Sequence, residues 1–101
     1  MKNSQKFLQM LGLTRRAGML VTGEGLVLNA VRKNKAKLVI LSEDCGQATL
    51  KKVTDKCNSY NVKLYVGFSK AILSEAVGQQ RTVYAITDKG FSRRMCDLMD
   101  I

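Results

Sequence analysis

The 101-residue sequence contains no histidine, no tryptophan and no proline. The lack of histidine removes the commonest general base, the catalytic triads built on it and the commonest metal ligand. With no tryptophan and only three tyrosines and three phenylalanines, a base-stacking platform for single-stranded nucleic acid is not expected. These absences exclude most of the common catalytic and metal-binding constellations.

Long hydrophobic segments are missing as well. The longest aliphatic run, Leu38 to Leu41, is far shorter than the roughly 20 residues of a membrane span. The polar segment Met1–Lys6 is not followed by an apolar stretch that could serve as a signal peptide. Hydrophobic residues still make up 46% of the chain, which is enough for a folded core. We therefore expect one cytoplasmic domain over residues 1–101 with no membrane contact.

Three cysteines are present, Cys45, Cys57 and Cys96. They form no C-x-x-C pair and show no zinc-ligand spacing. An odd number of cysteines without a signal peptide indicates reduced thiols in the cytoplasm. We expect neither a metal site nor a cofactor.

Acidic residues are few. Seventeen lysines and arginines stand against eight aspartates and glutamates, which gives a net charge of +9. Residues 1–63 hold twelve basic and four acidic side chains, whereas residues 64–101 hold five and four. Such a one-sided excess is typical of a protein that binds polyanions, although a generously solvated surface is the plain alternative.

Hydrophobic periodicity predicts five helices that alternate with four strands. The helices are expected to begin at Asn3, at Thr22, after Gly46, at Ser69 and at Asp88, and the strands to span Met19–Val21, Lys37–Ser42, Val62–Phe68 and Thr82–Thr87. The second strand is apolar on both faces and must be covered on both. The predicted fold is an α/β class, three-layer α/β/α sandwich with a four-stranded sheet covered by helices on both faces. Strand order does not follow from this pattern.

The same periodicity assigns side chains of the second and third helices to the core. The predicted buried residues are Leu26, Val27, Ala30 and Val31 in the second helix and Leu50, Val53, Cys57 and Tyr60 in the third. The polar residues Asn29, Arg32 and Lys33 are expected on the exposed face of the second helix.

One pair of residues could support catalysis. Cys45 lies between a strand end and a helix start, where a helix dipole can lower the pKa of a thiol, and Lys51 follows after five residues. Glu43 and Asp44 directly precede the cysteine, and their negative charge opposes a thiolate. This favours a turn residue without chemistry, with a small thiol enzyme acting on phosphorylated substrates through Cys45 and Lys51 as the alternative.

A glycine pair opens the second helix. Gly23 and Gly25 flank Glu24. Because glycine has no side chain, an anion can come close to the backbone N–H groups of the first helical turn. The spacing is neither a dinucleotide fingerprint nor a Walker loop, so a tight strand-to-helix turn is the alternative. Arg32 and Lys33 follow on the same helix and supply the concentrated charge that a phosphate backbone requires.

A polar loop, Gly78–Arg81, precedes the last predicted strand. The amides of Gln79 and Gln80 can reach base edges, and Arg81 can bind a guanine edge or a phosphate. A solvated connection between two elements is the alternative interpretation of this loop.

Several segments resemble one known family. Thr22–Ala30 and Lys37–Asp44 resemble the kink-turn RNA-binding family of ribosomal proteins L7Ae and L30e. Ser69–Gly78 is similar to the fourth helix of that family, and Leu11–Gly18 and Val83–Phe91 resemble its small bacterial YlxQ-type branch. The resemblance covers essentially the whole chain and implies an α/β/α sandwich that binds sharply bent RNA.

The resemblance also implies where the RNA is bound. In that family the start of the second helix enters the groove at tandem sheared G·A pairs, and the loop before the last strand embraces a flipped-out nucleotide. Gly23 and Arg81 match the family's glycine and a frequent basic residue. In the family's pattern Gly-x-Asn-Glu-x-x-Lys, the three polar positions are occupied here by Gly25, Leu26 and Asn29. This departure predicts weaker kink-turn binding or a preference for another bent RNA.

The sequence thus predicts a non-enzymatic RNA-binding protein of ribosomal type. Its predicted RNA face comprises Gly23, Glu24, Gly25, Asn29, Arg32, Lys33, Gln79, Gln80 and Arg81. The expected partner is structured ribosomal or regulatory RNA, with the ribosome as a further candidate; no small-molecule substrate is expected, and the free protein is expected to be a monomer. A ribonucleoprotein adaptor that binds protein through the third helix is the other alternative.

Overall fold

The computed structural model describes residues 2–101, in which helices and strands alternate as predicted. The elements are α1 (Ser4–Arg16), β1 (Leu20–Thr22), α2 (Glu24–Arg32), β2 (Leu38–Leu41), α3 (Gln47–Ser59), β3 (Lys63–Val66), α4 (Lys70–Val77), β4 (Val83–Ile86) and α5 (Lys89–Leu98). None of these helices has the length and the apolar character that crossing a bilayer requires.

The four strands form one mixed sheet in the order β1-β4-β2-β3. Strands β2 and β3 are parallel, whereas β4 is antiparallel to both of its neighbours, β1 and β2. The last strand therefore lies inside the sheet, where its first residue, Val83, is next to the end of β1. This topology brings the loop before β4 to the point where α2 begins.

Helices cover both faces of the sheet, which confirms the predicted three-layer sandwich. Strands β2 and β4 are buried along their whole length, and their side chains alternate between two cores, as the pleat requires. The core under α1, α4 and α5 contains the strand residues Leu38, Ile40, Tyr84 and Ile86. The core under α2 and α3 contains Val39, Leu41, Val83 and Ala85.

Two helix starts agree with their predicted caps. The Ser69 hydroxyl accepts a hydrogen bond from the backbone N–H of Ile72 at 3.2 Å, and Asp88 Oδ2 accepts one from Phe91 N at 2.8 Å. Each bond satisfies a backbone donor that the first helical turn leaves without a partner.

The predicted cap of α2 is wrong. Thr22 is the last residue of β1, where it pairs with Tyr84, and the residue that caps α2 is Gly23, with φ of 93°. A positive φ of this size is accessible to glycine at little cost but strains other residues. Gly23 is therefore the single residue between β1 and α2. The Thr22 side chain does not cap the helix and is available for a different hydrogen bond.

Three predicted core residues are exposed. Leu26 is 65% exposed, and Leu50 and Tyr60 are each 39% exposed. In α2 it is Leu28, only 7% exposed, that completes the inward face. Successive side chains point about 100° apart around a helix axis, so Leu26 and Leu28 lie on opposite sides of Val27 and only one of them faces the core. In α3 only Val53 and Cys57 are buried, one turn apart on the side that meets the sheet.

Candidate nucleic-acid interface

The start of α2 and the loop before β4 are in direct contact. The Thr22 hydroxyl donates to Gln79 Oε1 at 3.4 Å, and Gly23 N donates to the carbonyl of Val83 at 2.9 Å. The Arg81 side chain lies beside the same turn, since a Cβ at Gly23 would be 3.8 Å from Arg81 Nε. Two segments about 57 residues apart in the chain thus form one surface, which we call the loop–helix surface: residues 22–26 and 78–82.

The first turn of α2 is open on this surface. Among residues 2–101, no side chain caps the helix at Gly23, and a Cβ placed at Gly25 would have no atom within 4 Å apart from its chain neighbours and the adjacent helix backbone. The neighbouring Leu26 extends into solvent. Backbone N–H groups at a helix start carry partial positive charge and attract anions, so this turn can receive a phosphate or an electronegative base edge.

The loop itself is anchored through its backbone at Arg81. The Ser74 hydroxyl accepts from Arg81 N at 3.3 Å, and the buried Tyr84 hydroxyl donates to the Arg81 carbonyl at 2.8 Å. Burial raises the pKa of Tyr84, which keeps the phenol protonated as a donor. The Arg81 guanidinium remains exposed, with one bond to the Gln80 carbonyl at 2.7 Å. A fixed backbone thus carries a solvent-facing cation.

A polar cleft of about 590 Å³ adjoins the loop, and its lining includes Asp44, Lys70, Glu75, Gln79 and Gln80. The hydrogen bond from the backbone N–H of Lys70, at 2.9 Å, is the main factor that lowers the pKa of Asp44. The cleft therefore offers carboxylate and amide acceptors together with amide and ammonium donors.

Glu24 contacts the neighbouring helix. Its carboxylate accepts hydrogen bonds from Lys52 Nζ and from the Thr49 hydroxyl, each at 3.1 Å. These two bonds, with that from Lys52 the stronger, lower the pKa of Glu24. Glu24 thus links α2 to α3, and its carboxylate has partners within the protein.

Arg32 and Lys33 lie away from the loop–helix surface. The segment from Gly23 to Lys37, which includes α2, runs alongside β4. At its start Gly23 bonds to Val83, the first residue of β4, and at its end the N–H of Lys37 donates to the carbonyl of Ile86 at 2.7 Å. At 1.5 Å per residue, Arg32 lies about 13 Å along the axis from Gly23. The half-buried Asn29 lies between these ends. The structure thus brings together only part of the predicted RNA face.

The sequence profile of the Ribosomal protein L7Ae/L30e/S12e/Gadd45 family matches residues 5–96. The chain belongs to this family. It is 42% identical over 99 residues to the RNA-binding protein YlxQ of Bacillus subtilis (strain 168), covering 97% of this chain and 99% of that protein. It is 39% identical over 98 residues to the RNA-binding protein YlxQ of Enterococcus faecium, covering 97% and 95%. The resemblance found in the sequence is confirmed.

Two solved structures share the fold of this chain. A protein of unknown function from Bacillus halodurans superposes with a TM-score of 0.91 at 43% identity, covering 95% of this chain and 98% of that one. A 15.5 kD RNA-binding protein from Giardia lamblia superposes with a TM-score of 0.80 at 18% identity, covering 96% and 87%. The second likeness concerns the fold alone.

Two residues that hold the site in this family member were missed by the sequence patterns. Ser74 and Tyr84 fix the Arg81 backbone. Each lies within a mostly apolar stretch, so the hydrophobic pattern predicts a core residue at both positions. A signal was available, because a serine between Leu73 and Val77 on a buried helix face needs a hydrogen-bond partner.

The protein environment disfavours the thiolate form of the cysteines in this family member. Burial raises the pKa of Cys45, and the Asp44 carboxylate raises it further; the Cys45 thiol donates to the Gly46 carbonyl at 3.4 Å. Burial also raises the pKa of Cys57 to about 11. Within residues 2–101, no three histidine, cysteine, aspartate or glutamate side chains are grouped as metal ligands.

Replacing the two cysteines should separate structural from chemical roles. Cys57→Ser is expected to lower the free energy of unfolding by about 1–3 kcal/mol, because it buries a hydroxyl without an assured partner in a site that is 1% exposed. Cys45→Ser, the matched control at a half-buried turn, should change it by less than about 0.5 kcal/mol and leave RNA binding intact. Urea denaturation measures both, and equal losses would contradict this assignment.

Proposed function

We propose that this protein is a cytoplasmic, non-enzymatic binder of structured RNA that recognises a kink-turn or a similarly bent element through the loop–helix surface. The observation that carries the proposal is the junction of the open α2 start with Arg81, joined by the Thr22–Gln79 hydrogen bond. The family and the two YlxQ relatives, both of them RNA-binding proteins, support RNA as the ligand.

The α2 start supplies the closest approach to RNA in this proposal. Gly23 and Gly25 place no side chain between the helix backbone and a nucleotide, so N–H groups can bond phosphate oxygens or base edges directly. Arg81 adds a planar fork of donors beside them, suited to bidentate contact with a phosphate or a guanine edge.

The cleft next to the loop suits a nucleotide base better than a phosphate. Two carboxylates, Asp44 and Glu75, line it and would repel a phosphate, whereas they can accept hydrogen bonds from the amino groups of a base. The amides of Gln79 and Gln80 can both donate to and accept from base edges. A base turned out of a bent RNA is the occupant we propose.

The proposal is tested by comparing two RNAs of equal length and charge, one with a kink-turn and one a straight duplex. Wild-type protein is expected to bind the kink-turn at least about fivefold more tightly, the equivalent of one base contact of about 1 kcal/mol. Fluorescence anisotropy at fixed salt measures the ratio, since affinities change steeply with salt. Equal affinities would contradict recognition of the bend.

Arg81 should contribute to this preference, whereas Arg32 should not. Arg81→Ala is expected to weaken kink-turn binding about tenfold and to reduce the preference over straight duplex, because it removes a contact on the loop–helix surface. Arg32→Ala removes the same charge from the far end of α2 and should weaken both RNAs similarly. A preference that survives Arg81→Ala unchanged would contradict the assignment.

A further inference from the structure

A second basic region lies at the opposite end of the sheet from the loop–helix surface. Strand β2 begins there, paired with the first residue of β3, Lys63, and with the last residue of β4, Ile86. Lys37 immediately precedes β2, and Lys89 begins α5 just after β4. The topology therefore gathers three lysines from distant parts of the chain at this end.

These lysines surround a concave cleft of about 480 Å³, together with Arg93 from the next turn of α5. Ser92 and Asn61 add uncharged polar groups, and Asp97 contributes the single acidic side chain among the lining residues. We call Lys37, Lys63, Lys89 and Arg93 the far basic surface. Its four cationic side chains against one acidic side chain give it an excess of positive charge.

Among the residues that the structure describes, no ion pair neutralises the positive charge of this surface. In residues 2–101 the salt bridges join Lys51 to Asp55 and Lys52 to Glu24, so none involves the four cations. Lys37 Nζ donates to a neutral carbonyl, that of Asn34, at 3.2 Å. Clefts lined by one sign of charge focus their field and concentrate counter-ions.

The far end of α2 adds to the same field. Arg32 and Lys33 lie at the end of α2, and Lys35 and Lys37 lie in the segment that connects α2 to β2. All four are exposed. Together with Lys63, they place five of the twelve basic residues of the 1–63 segment at this end of the sheet.

The two surfaces are separate sites. The strands between them span about 10 Å at 3.3 Å per residue, and the whole molecule measures 28 by 26 by 26 Å. Because charges are screened within about 8 Å at physiological salt, the far basic surface contributes little to a ligand confined to the loop–helix surface. The far basic surface is therefore a separate candidate site for an anionic ligand.

We propose that the far basic surface binds the phosphate backbone of a second RNA segment, so that one protein molecule holds two helical segments at once. This inference rests on the proposed function for the nature of the ligand. Phosphate oxygens accept hydrogen bonds and carry regular negative charge, which matches a lining made mostly of donors. Bent RNA places two helical arms close together, and a protein with two opposite binding surfaces can also join separate helices.

The first test uses a straight 12-base-pair RNA duplex as the probe. Lys63→Ala/Lys89→Ala is expected to weaken binding roughly tenfold at 50 mM salt and to lower the slope of log affinity against log salt by nearly two units, one for each lost phosphate contact. The matched control, Lys6→Ala/Arg16→Ala, removes equal charge from exposed positions on α1. Equal effects of the two double variants would overturn the inference.

The second test measures bridging. Two straight duplexes, one carrying a donor dye and one an acceptor, should show energy transfer with wild-type protein and with the control variant, and several-fold less with Lys63→Ala/Lys89→Ala. Undiminished transfer in that variant would overturn the inference. If wild type shows no preference for a kink-turn but the far-surface variant still loses duplex binding, the bend recognition fails while the second surface stands.

Discussion

The variant Gly25→Asn/Leu26→Glu/Asn29→Lys is expected to bind a standard kink-turn at least about fivefold more tightly than wild type. These changes introduce an amide, a carboxylate and an ammonium at the three positions where the resemblance described above implies polar residues. Each well-formed base contact contributes about 1–3 kcal/mol of discrimination, so one new contact is enough for this gain in affinity. Anisotropy with the kink-turn and straight duplexes measures it.

The structure indicates that the fold tolerates this variant. Leu26, predicted from periodicity to be buried, is 65% exposed, and Gly25 has open space around it. The control Gly25→Ala/Leu26→Ala/Asn29→Ala changes the same positions without adding polar groups and should not gain affinity. A folded restored variant that binds the kink-turn no better than this control would contradict kink-turn recognition at the α2 start.

Phe7→Ala should cause the largest loss of stability, about 3–5 kcal/mol in the free energy of unfolding. Phe7 is fully buried, and its ring lies 5.5 Å from the ring of Tyr65 and 5.8 Å from that of Phe68. This cluster supports the edge of the site, because the Phe68 carbonyl accepts a hydrogen bond from Glu43 N at 2.9 Å, one residue before Asp44.

Urea denaturation checks this value, with Phe91→Ala as the control. Phe91 contacts the same core but is only partly buried, so its truncation leaves a smaller cavity and should cost clearly less. Equal losses in the two variants would show that Phe7 is not central to the core.

Local patterns predicted the elements well. The caps at Ser69 and Asp88 act over three residues, and the all-apolar β2 indicated a strand covered on both faces. These features depend on neighbours in sequence, so the sequence alone could reveal them. The α/β/α layers followed because amphipathic helices must cover such a sheet.

Long-range features were not predictable in the same way. The order β1-β4-β2-β3 depends on pairings between distant segments, and a helical period could not decide between Leu26 and Leu28 as the inward leucine. Arg32 and Gly23 are close in sequence, but they lie at opposite ends of α2, and the length of this helix separates them. Ser74 anchors Arg81 through a contact across a loop; the local pattern shows that this serine needs a partner but does not identify Arg81 as that partner.

Backbone amide chemical shifts, followed while one equivalent of kink-turn RNA is added at about 0.15 M salt, test the central claim most directly. At this ionic strength charges on distant surfaces are screened, so the specific contacts dominate. We expect the largest shifts at residues 23–26 and 79–81 on the loop–helix surface. Unchanged amides there, with the largest shifts on α3 instead, would contradict the proposed RNA site.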